Sequence, residues 1–124
     1  MRAIMKVIRV YSGDDGESHF EALELSYQGN DDGLTGAGAT AMRGASGIQF
    51  RRSPPGHYID WHPAPARQYV IILQGQSKIT IGDGSSHTFA TGDVLLAEDI
   101  TGQGHTTEVV GDEPRVSIFV PLTD

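Results

Sequence analysis

Tyr58, Asp60 and His62 stand at alternate positions of the segment GHYIDWHPAPARQYVIILQG, Gly56 to Gly75. Alternate side chains of an extended strand share a face, so a strand here presents a phenol, a carboxylate and an imidazole to one side. Such a trio can hold a polar molecule and move a proton. A second imidazole, His105, follows the turn Thr101-Gly102-Gln103-Gly104, and Gln68 adds an amide where the chain resumes after Pro63 and Pro65. The adjacent pair Arg51 and Arg52 can send only one member inward, where a guanidinium would clamp a carboxylate or phosphate in two-pronged fashion. A pair lying on the surface is the other reading. Glu98 and Asp99 close the apolar run Val94 to Ala97, either as an acid or base at a cavity mouth or as a solvated turn. His62, followed by Pro63, fits an inward catalytic group, a rim residue, or an imidazole satisfied by a backbone carbonyl. His19, His57 and His87 fall in turns or on the opposite face and read as surface residues, and Trp61 has the opposite parity to His62.

Other chemistries are excluded by what the chain lacks. It has no cysteine, hence no disulfide, thiolate metal site or thiol nucleophile. Ser46 in Gly44-Ala45-Ser46-Gly47 has no strand-to-helix setting, and Gly36-Ala37-Gly38 has no following helix to bind phosphate. Acidic residues outnumber Lys and Arg sixteen to nine, for a net charge of −7. Nucleic-acid backbones are bound chiefly by Lys and Arg, so that class of partner is excluded. The N-terminus MRAIMKVIRV has no uninterrupted apolar core followed by a small-residue cleavage site, and runs such as Tyr69 to Leu73 are too short to span a bilayer. The expectation is a cytoplasmic protein without membrane contact.

The elements that must position these groups are short strands. Lys6 to Tyr11 reads as a strand ending in the turn Ser12-Gly13-Asp14-Asp15-Gly16. In Ser18 to Tyr27, Ser18 and Glu21 could form a helix-capping box, but Leu23, Leu25 and Tyr27 alternate as in a half-buried strand, and the strand is favoured. Residues 28–47 are rich in Gly, Asn, Asp, Ala and Thr, without apolar periodicity: a long loop, expected to lie over a pocket mouth. Further strands are read at Ile48 to Ser53, Gln68 to Leu73, Ser77 to Ile81, Ser86 to Phe89, Val94 to Ala97, His105 to Val110 and Arg115 to Val120. Turn signals separate them about every eight to twelve residues, the spacing of an all-β sandwich or small barrel. At 124 residues the chain is one domain, 1–124, with a loop-rich N-terminal region (1–47) followed by a strand-dense region (48–120).

The spacing of Gly56, His62, Ala64, Gln68 and Gly75 resembles the first motif of the cupin superfamily, in which a second His stands at the Ala64 place and Glu at the Gln68 place. Ile100 to His105, with Val109, is similar to the second cupin motif, where Pro, Gly and His are followed by Asn. The resemblance covers about Ile48 to Val120. It implies a double-stranded β-helix of jelly-roll type and is closest to small bacterial cupins without an assigned activity. It further implies a metal site, carried over as His62, Gln68 and His105, for Zn, Ni, Mn or Fe. Ala64 and Gln68 depart from that pattern. An alternative register draws Asp60 into the set, giving Asp60, His62, Gln68 and His105.

Two functions follow as expectations. One is an enzyme acting on a small polar organic metabolite, with His62 and His105 as catalytic groups, either on a metal or as a metal-free acid and base. Tyr58, Asp60, Gln68 and Arg52 then bind substrate, and the resemblance leaves isomerase, cyclase, lyase and oxygenase chemistry open. The other is a non-catalytic barrel that binds or senses a metabolite. A homodimer is expected from the exposed sheet edges that such folds cover by pairing.

Overall fold

A computed structural model describes residues 4–28 and 37–124. Among them the chain forms strands and no helix: β1 (Ile4–Ser12), β2 (Ser18–Ser26), β3 (Gln49–Ser53), β4 (Tyr58–His62), β5 (Gln68–Gln74), β6 (Gln76–Thr80), β7 (Ser86–Phe89), β8 (Val94–Glu98), β9 (His105–Val110) and β10 (Arg115–Pro121). No helix among the described residues is long and apolar enough to cross a membrane.

The strands form two sheets, one in the order β2-β1-β8-β5-β10-β3 and one in the order β4-β9-β6-β7. The all-β, double-stranded β-helix architecture expected from the sequence is present, with the two sheets facing one another rather than closing into a single barrel. All pairings among the described strands are antiparallel except β1 with β8. The ambiguous segment after Ser18 is a strand, because Leu23 and Leu25 take the face they share with Met5 and Val7 of the full-length β1 pairing.

Two-residue alternation sorts the side chains. Val10, Val70, Ile72, Ile79, Phe89, Leu95, Ala97 and Phe119 fill the space between the sheets. Val7, Val94 and Leu96 lie on the outer face of the larger sheet, packed with Met5, Leu23, Leu25, Tyr69, Ile71 and Leu122. The run VLLA of β8 is buried on both faces, as a central strand covered on both sides requires. Some of the loop 28–47 lies outside the described residues. Its described residues Ala39 to Arg43 cover the outer face, where with Met5, Leu25 and Tyr69 they border a groove of about 660 Å³. These described loop residues thus sit on the side of the sheet away from the histidines.

Candidate active site

Strands β4 and β9 set the two imidazoles. Ile59 is opposite Thr107, whereas His62 is opposite His105, so β4 carries one more residue than β9 over this stretch. This is a β-bulge, a device that re-aims side chains by breaking the two-residue alternation. It falls at Asp60-Trp61, where Asp60 Oδ1 accepts the Trp61 N–H at 2.9 Å. Ile59 and His62 consequently share the inner face despite their odd separation, and both line a cavity of about 190 Å³ between the sheets. At the start of β9, Gly104 has φ of 77°, and a Cβ there would collide with the His62 carbonyl. Only glycine permits this approach, and it brings the His62 and His105 rings to 4.6 Å between centroids.

Each ring is fixed through Nδ1. His62 Nδ1 donates to the Asp60 carbonyl oxygen at 2.7 Å. His105 Nδ1 donates to Asp99 Oδ2 at 2.6 Å, and Ser18 Oγ donates to the same oxygen at 2.7 Å. Asp99 is completely buried, and its backbone carbonyl accepts the Ala64 N–H at 2.9 Å. An imidazole committed as a donor at Nδ1 keeps Nε2 as its acceptor in the neutral tautomer. The site thus holds two imidazole nitrogens without a hydrogen-bond partner among the described residues, beside a cavity also lined by Gln68 and Thr107.

The cavity also carries two guanidinium groups. Arg115 is 6% exposed, and its Nη1 donates to Ser77 Oγ at 3.0 Å. Burial, and then the charge of Arg51, push its pKa down. The guanidinium carbon of Arg51 lies 3.9 Å from the Phe119 ring centroid, with Nε donating to Gln49 Oε1 at 2.7 Å.

The structure brings together His62, Gln68 and His105 of the residues singled out in the sequence. It leaves Tyr58, Asp60 and Arg52 outside the cavity lining. The bulge removes Tyr58 and Asp60 from the face of His62; Tyr58 is 54% exposed and Asp60 is also exposed. The arginine pair is divided by register. Arg51 lies opposite the inward Ser117 and Arg52 opposite Val116, so Arg51 is the member on the cavity side, yet both arginines are exposed on this edge strand, as the surface reading has it. Asp99 is no solvated turn but a buried partner of His105, and Glu98 is partly buried between Arg9 and Arg67. His19 and His57 fall at or near the surface, while His87 stacks on Phe89 with centroids 4.6 Å apart. Sequence reasoning missed Arg115. The signal was the alternation of Arg115, Ser117 and Phe119 in the last strand, where an arginine shares parity with a core phenylalanine.

A divalent metal ion, implied by the motif resemblance, can be tested against these donors. His62, His105 and Gln68 supply two imidazoles and an amide and no formal negative charge. Asp99 is engaged on the Nδ1 side of His105, and Asp60 lies outside the cavity. No grouping of three or more His, Cys, Asp or Glu that could hold a metal ion occurs among the described residues. With two arginines bordering the same space, the donor set fits a divalent cation poorly.

No family model matches the chain, and no curated protein matches it. Solved structures are similar at the level of fold. One is a cupin superfamily protein from Desulfitobacterium hafniense, 20% identical with a TM-score of 0.50, over 68% of this chain and 73% of that one. Another is a cupin-like protein from Thermotoga maritima, 17% identical with a TM-score of 0.50, over 82% of this chain and 68% of that one. A third, described as a sugar phosphate isomerase from a cupin superfamily of Silicibacter pomeroyi, is 19% identical with a TM-score of 0.49, over 98% and 73% of the two chains.

Proposed function

We propose that this chain, folded as a cupin-type double-stranded β-helix, binds a small polar organic molecule between its sheets and performs acid–base chemistry on it with His62 and His105. The observation that carries this reading is the pair of imidazoles, 4.6 Å apart, with both Nδ1 atoms committed as donors and neither Nε2 atom bonded among the described residues. An imidazole so held on a small cavity can take a proton from one atom of a substrate at Nε2 and, as the imidazolium, return it to another.

The two rings differ in support. His105 leans on a buried carboxylate, which stabilises the imidazolium formed when Nε2 accepts a proton, by the logic of a carboxylate-supported base. His62 leans on a backbone carbonyl only. His105 is therefore assigned as the base, which takes the proton at Nε2 and, as the imidazolium, returns it to a neighbouring atom of the substrate, while His62 Nε2 accepts a substrate hydrogen bond and Gln68 orients the substrate. Isomerase, cyclase and lyase reactions can all proceed through such a proton transfer beside a carbonyl. Oxygenase chemistry would need a tightly held redox metal, for which these donors are poor.

The test is proton exchange in D2O, followed by proton NMR, over a panel of small aldehydes, ketones and hydroxy acids. The expected result is exchange or conversion of at least one compound, falling on the order of 100-fold or more in His105→Gln. Binding without exchange anywhere in the panel would favour the non-catalytic barrel. Near-stoichiometric metal in the purified protein, lost in both His62→Ala and His105→Ala, would replace this reading with a metal centre.

A further inference from the structure

Arginine keeps its charge under all ordinary conditions, yet Arg115 is 6% exposed with its Nε atom lacking any hydrogen-bond partner among the described residues. Among those residues, neither Arg115 nor Arg51 meets a carboxylate, and both line the 190 Å³ cavity. The desolvation of a buried ion costs several kcal/mol unless a counter-charge offsets it. Here the charge that acts on Arg115 is another cation, Arg51. Ser117 neighbours both in the strand register, although it does not line the cavity. It is fully buried, faces Arg51 across the β10–β3 register, stands two residues from Arg115, and its Oγ has no partner among the described residues. A buried guanidinium with an unpaired Nε and a second guanidinium, Arg51, on the exposed edge strand therefore border one small cavity, and none of the described carboxylates lines it.

We propose that this space is an oxyanion site, in which Arg115 and Arg51 hold the carboxylate or phosphate group of a small organic anion. Guanidinium groups suit either oxyanion because their forked donors match paired oxygens. The volume admits about six waters, so the ligand is a compact metabolite. The inference names the substrate class of the acid–base site and rests on that reading only for the reacting end of the ligand; the anion-holding end stands on the arginines.

Calorimetric titration with oxalate, malonate and inorganic phosphate, with neutral malonamide as control, tests it. Saturable binding of at least one anion and none of malonamide is expected. The preferred anion separates a carboxylate ligand from a phosphate one. Arg51→Met and Arg115→Met should each weaken binding by about 10-fold or more, or ~1.4 kcal/mol, while Lys78→Met leaves it unchanged. Should Arg115→Met fail to fold, Arg51→Met carries the test. Absence of saturable binding of all three anions, equal binding of malonamide, or wild-type affinity in Arg51→Met would overturn the proposal. Proton exchange without anion binding would remove the oxyanion site alone, and anion binding without exchange would remove the acid–base reading alone.

Discussion

The two faces of the six-stranded sheet treat arginine in opposite ways. On the outer face Arg9 donates to Glu98 at 2.7 Å and to Glu21 at 3.1 Å. Arg67 donates to the other Glu98 oxygen at 2.7 Å, and Arg43 grips Asp124 at 2.8 and 2.9 Å. Burial would push the Glu98 carboxyl up, but hydrogen bonds from Arg9 and Arg67 hold it below its usual range. On the inner face Arg51 and Arg115 have no carboxylate among the described residues, and the buried acid nearby, Asp99, is given to a histidine. The outer charges complete each other and need nothing from outside the chain. On the inner side Arg115 is buried without such completion and Arg51 reaches solvent from the edge strand; on the oxyanion proposal the outer network serves the fold and the inner pair a site.

Removing Asp99 should produce the largest effect, because it strips a buried imidazole and a buried hydroxyl of their common acceptor. Asp99→Ala is expected to lose about 3 kcal/mol of stability in urea denaturation, in the range for breaking buried pairs. Asp99→Asn, which keeps an oxygen for one donor, should lose less, yet still depress proton exchange relative to wild type. If Asp99→Ala is as stable as wild type, the inner carboxylate is no more embedded than the outer ones. Next in size is Gly104→Ala, on the order of 2 kcal/mol, since alanine must adopt a left-handed conformation and displace the His62 carbonyl. Histidine side-chain NMR shifts would show whether the two rings separate.

How much of the molecule is legible in the sequence depends on whether alternation holds. Where it holds, in β8, in β10 and in β5 from Gln68 to Ile72, before the register shift at Leu73, sequence parity places Gln68, Leu95 and Phe119 inward. The motif spacing likewise places His62 and His105 on one site. Where a bulge inserts a residue, at Asp60-Trp61, parity inverts, and alternation assigns Tyr58 and Asp60 to a face they do not occupy. No local composition marks that bulge; it is set by the approach of β4 to Gly104. Asp99 and Arg115 escape for another reason. Charged residues beside a turn or at a strand start are ordinarily solvated, and only the tertiary partner, His105 or Ser77, shows that these two are buried. The choice between Arg51 and Arg52 needs the β3–β10 register, which a lone strand does not contain.

A smaller effect is expected on the outer face. Glu98→Gln should lose about 1 kcal/mol near neutral pH, since the bridges are partly buried but reachable by solvent. The sign with pH follows from the depressed folded-state pKa. The contribution of Glu98 is fully present above its unfolded value, 4.5, and is lost as pH falls through the lower folded value. The stability difference between wild type and Glu98→Gln should therefore shrink as urea denaturation is repeated at pH values below about 4.5. A difference that persists in acid would mean that packing, not charge, gives Glu98 its role.

The smallest effect on stability is the most informative. Arg115→Met keeps most of the apolar stem and removes a buried charge that no described carboxylate offsets. A charge paired for the sake of the fold, as on the outer face, would be missed. An uncompensated one should not be, and replacing buried ionic groups with apolar ones of similar volume is often neutral or stabilising. The ligand-free variant is thus expected to lie within about 1 kcal/mol of wild type, on the stable side if it differs, despite losing the hydrogen bond to Ser77. Added oxalate, malonate or phosphate, whichever the wild type binds, should then raise the melting temperature of the wild type and not that of the variant. A loss of several kcal/mol without ligand would place Arg115 with Arg9 and Arg67, as a charge the fold itself requires, and would dissolve the contrast between the two faces.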